Sequence, residues 1–132
     1  MKIQMNTKIL MTLSAAVLGI AGIILIFFPQ EISNYISVTG SSQVMLQILG
    51  SLYFGFAMLN WTAKANLIGG IYSRPVAIGN FSHFLIGGLA LAKFGFKNMG
   101  LTYIWVAMIT YLIFAILFGY ITFIGPGLKK YN

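Results

Sequence analysis

His83 is the only histidine in the chain and Arg74 the only arginine, and both fall in one stretch, residues 64–83. The same stretch holds Gly69, Gly70, Pro75 and Asn80. An imidazole titrates near neutral pH and can accept, donate or shuttle a proton. An amide fixes the orientation of whatever it bonds. On a helix of 3.6 residues per turn, Val76, Gly79, Asn80, His83, Gly87 and Ala90 form one stripe, mostly of small residues, with two polar side chains in it. On the preceding apolar segment Tyr53, Ala57, Asn60 and Lys64 share a face. Two antiparallel helices would put Asn60 at a depth similar to Asn80. Asn60, Asn80 and His83, with Tyr53 in reach, therefore form the candidate ligand-binding set. Two readings stay open for it. Polar side chains inside a membrane often mark a binding or proton-linked site. They also form interhelical hydrogen bonds that fix packing, worth about 0.6 kcal/mol each.

Catalysis is easier to judge. Aspartate is absent and Glu31 is the one acid, so no pair of carboxylates exists for general acid–base work. No acid is placed to orient His83 as a triad requires. Ser82 is the neighbour of His83, and consecutive helical residues point about 100° apart. The chain has no cysteine, which removes disulfides, thiolate metal sites and iron–sulfur clusters. One histidine cannot build a zinc site. Haem ligation would need Met58 beside His83, and Met58 lies on a different face of its segment from Asn60. Ile68-Gly69-Gly70-Ile71 lacks the spacing of a phosphate-binding loop, so its glycines read as turn residues. No enzyme activity, metal or cofactor is expected.

The elements that must position these residues are membrane spans. Hydrophobic residues make up 59% of the 132, charged residues only 7%, and mean hydropathy is +0.92. A soluble fold carries about 25% charged residues, so this chain would leave its apolar surface in water. Lipid accepts that surface. The net charge of +7 comes from bases set at the ends of apolar runs rather than on one face, so no nucleic-acid partner is expected.

The expected fold is all-α: one domain, 1–132, a membrane-spanning four-helix bundle with spans at about 9–28, 42–63, 75–92 and 101–124. Twenty residues at 1.5 Å each cross a hydrocarbon core of about 30 Å. The first run continues past Ser14-Ala15-Ala16 to Phe28, which marks a retained span rather than a cleaved signal. Its Ala15, Gly19 and Gly22 suit close helix approach. Pro29 ends it and begins a short segment, 29–39. With Glu31 in its first turn and Ile32, Tyr35, Ile36 and Val38 near one face, that segment reads either as a loop or as a short amphipathic helix in the interface, closed by Gly40. The third span is the shortest, followed by a turn from Lys93 to Gly100. Ser73 can cap it, with Pro75 in its first turn. The last is the longest, stopped by Gly125-Pro126-Gly127.

Bases set the threading. With the N-terminus inside, Lys2, Lys8, Lys64, Arg74, Lys129 and Lys130 are inside and Lys93 and Lys97 outside, which favours both termini in the cytoplasm. Arg74, Trp61 and Lys64 are expected to anchor the inner surface among headgroups.

The first half resembles small four-helix bacterial membrane proteins of the DoxX-like type. The resemblance rests on Gly19-Ile20-Ala21-Gly22 running into Phe28-Pro29, and on Leu46 through Gly55, Leu-Gln-Ile-Leu-Gly-Ser-Leu-Tyr-Phe-Gly. It implies a four-helix bundle in a bacterial inner membrane. It covers about 65 residues and carries no site onto this chain. The expected function is a non-enzymatic accessory or scaffold bundle. The alternatives are a binder of a small or lipid-like ligand in a cytoplasmic-side pocket and, further off, a small oligomeric transporter. Expected partners are the lipid bilayer and a second copy or another membrane subunit.

Overall fold

The computed structural model describes residues 6–36 and 42–125. Every regular element in that range is helical. They run α1 (Thr7–Phe27), α2 (Pro29–Tyr35), α3 (Ser42–Ala63), a 3-10 turn at Ile71–Ser73, α4 (Arg74–Lys97) and α5 (Thr102–Phe123). The described chain includes four helices long and apolar enough to cross a membrane, and no strand. The all-α fold with four spans is therefore as the composition requires. α3 covers the residues expected of the second span, 42–63, and α1 and α5 differ by one or two residues at each end from the expected 9–28 and 101–124.

The described chain divides into two compact units, one built from Lys8–Ala65 and the other from Asn66 onward together with Asn6 and Thr7. In the first unit α1 and α3 lie antiparallel. The buried residues of α1 are Thr7, Leu10, Met11, Ser14, Ala15, Leu18 and Gly22, a three-and-four spacing that makes one face of a helix. Glycine decides how closely the pair approaches. A Cβ added at Gly22 would lie 2.8 Å from the Phe54 backbone nitrogen and 2.9 Å from the Gly50 carbonyl oxygen. One added at Gly50 would lie 2.9 Å from the Gly22 carbonyl oxygen. Backbone therefore meets backbone here, the close approach that small residues permit in a membrane.

Pro29 starts α2 within its first two positions, where a missing N–H costs nothing, and Glu31 lies in its first turn. Of the two readings of 29–39, the helix is the one observed, over Pro29–Tyr35. Ser33 is its buried residue and Tyr35 is exposed. Val38 and Gly40 lie outside the described residues. So do Lys2, Pro126, Gly127, Lys129 and Lys130.

In the second unit α4 and α5 pack antiparallel through aromatic rings. Phe84, fully buried, stacks on Phe114 at 4.8 Å and on Phe118 at 5.8 Å between centroids. Phe81 meets Phe123 edge-on at 5.3 Å, and Phe96 meets Trp105 at 5.4 Å. Such pairs add about 0.5–1.5 kcal/mol each beyond their buried area.

Three expectations about the third span need correction. It is not the shortest: α4 has 24 residues and runs through Lys97, leaving a turn only at 98–101. The helix persists because Gly95 packs against Ile104 and Trp105, and Phe96 against Trp105. Lys93 and Lys97 stay exposed on its last turns, and long basic stems reach the interface from there. Ser73 occupies the N-cap position but makes no side-chain cap hydrogen bond, while Pro75 does lie in the first turn. Finally, the buried face consists of Ala77, Asn80, Phe84, Gly88 and Gly95. Val76, Gly79, His83 and Gly87 are half-buried beside it, and Ala90 is exposed. The face is turned toward Phe84 because that ring, not the small residues, fills the space between Phe114 and Phe118.

Candidate functional site

Asn60 lies on α3, fully buried. Four residues before the turn at Lys64, it faces the start of α1, where its side-chain nitrogen donates to Ser14 Oγ at 3.0 Å. Ser14 Oγ in turn donates to the Met11 carbonyl at 3.1 Å. The result is a short polar chain from α3 through Ser14 into the α1 backbone. Tyr53 stands two turns before Asn60 on the same helix, half-buried. Ser14 escaped the sequence reading, although it falls in register with Met11 and Leu18 on the apolar face of α1. A serine at such a position needs a partner once buried, and that was the available signal.

Asn80 and His83 both lie on α4, one turn apart. Asn80 is fully buried and donates from its side chain to the Val76 carbonyl at 2.9 Å, back onto its own helix. His83 Nε2 lies 3.3 Å from the Tyr111 hydroxyl on α5. The imidazole also meets the Phe84 ring edge-on at 5.1 Å and the Tyr111 ring at 5.5 Å. Tyr111 is held over Gly87, where an added Cβ would come within 2.6 Å of the tyrosine ring. Tyr111 too was missed. A tyrosine in mid-span signals a hydroxyl in search of a partner, and His83 supplies one. Within its units, then, the structure joins Asn60 to Ser14 and His83 to Tyr111.

Other polar side chains bond along their own helices, while Gln47 donates across to the Ile26 carbonyl of α1 at 3.4 Å. Thr12, Ser51, Thr62, Thr110 and Thr122 each donate to a carbonyl three or four residues earlier. Among the described residues no buried side-chain nitrogen or oxygen lacks a hydrogen-bond partner. No group of three or more His, Cys, Asp or Glu side chains that could hold a metal ion occurs among them.

The residues expected to anchor the inner surface, Trp61, Lys64 and Arg74, occupy span ends. Lys64 Nζ stands 2.9 Å over the centroid of the Trp61 ring, a cation–π contact. Arg74 is exposed at the first residue of α4. Between them the 66–73 segment turns at Gly69, whose φ of 97° suits glycine, so the glycine there is a turn residue as its sequence implied.

Four apolar helices of this length define the class, a multi-pass α-helical membrane protein. No family model, no curated protein and no solved structure matches the chain.

Proposed function

We propose that this chain is a non-enzymatic accessory or scaffold protein of a bacterial inner membrane, with both termini cytoplasmic. The observation that carries the reading is the engagement of its intramembrane polar groups. Asn60 with Ser14 and His83 with Tyr111 join neighbouring helices, and Asn80 bonds back onto its own. The outward faces are apolar, with Ile20, Leu52, Val106 and Ile116 among their exposed residues. Faces of that kind suit lipid or another membrane subunit. The glycine pattern of the first half, which resembles DoxX-like proteins, supports the bacterial inner membrane. The distribution of bases supports the threading.

Native mass spectrometry of the tagged chain, extracted in patches of its own membrane, tests the reading. A second copy or a second membrane polypeptide bound in fixed ratio is the expected result. A monomer retaining one small polar molecule would contradict it.

A further inference from the structure

The α1–α3 pair leaves an open groove of about 260 Å³. Ala15, Gly19 and Ala57 floor it, and Phe54, Met58 and Trp61 wall it. None of the six carries a charge, and the indole nitrogen of Trp61 is the one polar side-chain atom among them. It is smaller than the pockets of about 300–1,000 Å³ that enclose drug-sized molecules. A single narrow apolar chain fits such a slot better than a compact ligand does.

One end of the slot is basic. Asn60 meets Ser14, so the end of α3 and the start of α1 share one side of this unit. Lys64 lies four residues beyond Asn60, about 6 Å farther along the axis, and Lys8 six residues before Ser14, about 9 Å. Glu31, the single acid of the chain, follows the opposite end of α1. Lys64 holds its ammonium over the Trp61 ring, and Trp61 is itself a wall of the groove. The cation is thereby placed at the mouth of the apolar slot, at the depth where an aromatic and a lysine meet headgroups.

We infer that the α1–α3 groove binds an anionic phospholipid, with an acyl chain between Phe54, Met58 and Trp61 and the headgroup phosphate at Lys64. The apolar floor selects a chain, and the basic end selects the charge on the headgroup. A zwitterionic lipid with the same chains fills the slot but gains less at Lys64, because one basic side chain beside an anionic surface favours it about fivefold.

Trp61 reports occupancy directly. In a Trp105→Phe background it is the only tryptophan, and bromine on an acyl chain quenches it on contact. The protein is placed in nanodiscs of phosphatidylcholine containing increasing fractions of brominated phosphatidylglycerol or, separately, brominated phosphatidylcholine of the same chains. Half-maximal quenching is expected at about a fivefold lower fraction of the anionic lipid. Lys64→Gln removes that preference while leaving quenching itself. Ala16→Leu, at the exposed α1 rim of the groove, weakens quenching by both lipids and requires no rearrangement of buried residues. Equal quenching by the two lipids in the Lys64 protein overturns the inference. So does quenching that Ala16→Leu leaves unchanged, or the absence of quenching by any lipid, which would mean that protein covers the groove.

Discussion

The side-chain nitrogen of Asn60 lies 3.0 Å from Ser14 Oγ, and this buried pair joins the end of α3 to the start of α1. In water such a bond would compete with solvent. In hydrocarbon no water competes for either group, yet measured gains stay modest because the unfolded span also finds partners. Ser14→Ala should therefore lower stability by about 1 kcal/mol, and Asn60→Ala by somewhat more through the space it leaves. Combined, the two should show a coupling of about 0.6 kcal/mol. Unfolding in mixed micelles gives all three values.

Glycine substitutions separate contact from composition. Gly22→Ala drives a methyl into the backbone of α3, at 2.8 Å from the Phe54 nitrogen, so the helices must part. A loss of about 1–3 kcal/mol is expected. Gly55→Ala meets nothing within 4 Å and removes a helix-weakening glycine. It should be neutral or stabilising. Paired thermal melts check the contrast, and equal losses at both positions would contradict the α1–α3 crossing.

On α4, Phe84→Ala removes a ring stacked on Phe114 and Phe118, with a third contact to Tyr111 at 5.2 Å. About 3 kcal/mol should be lost. Tyr111→Phe keeps the ring and deletes only the hydroxyl that meets His83, so about 0.6 kcal/mol is expected. The ratio between the two losses measures how far aromatic packing outweighs the hydrogen bond, again by unfolding in mixed micelles.

The spans were legible because apolar runs of about twenty residues admit few other structures. The end of α4 was not, since Lys93, Gly95 and Lys97 read as turn residues. What overrides them is tertiary: Gly95 and Phe96 lie against Trp105 and Ile104 of the next helix. The candidate residues were legible as polar side chains in apolar helices, but their partners were not. Asn60 was read against the α3–α4 hairpin, whereas the partner within its own unit is Ser14 on α1. A serine or tyrosine in a span gives no sign of which neighbouring helix it faces. That is decided by packing, and only the close approach at Gly22 and Gly50 fixes which face of α1 meets α3.

Threading is testable because the chain has no cysteine of its own. Single substitutions at Gln30, Asn66 and Met99, all exposed outside the long helices, supply labels. In intact cells a membrane-impermeant maleimide should reach Gln30→Cys and Met99→Cys. Asn66→Cys should react only after permeabilisation. The reverse pattern would place both termini outside.

The central claim is that Asn60, Asn80 and His83 serve the packing and internal bonding of the helices rather than a ligand. It is met most directly by thermal melts of the purified wild type and of Asn60→Ala, Asn80→Ala and His83→Ala, each with and without an extract of the source membrane. Any upward shift the extract gives the wild type should appear undiminished in all three variants, whose own losses are the same with or without it. A shift present in the wild type and abolished in the variants would show that these side chains bind something, and would contradict the account.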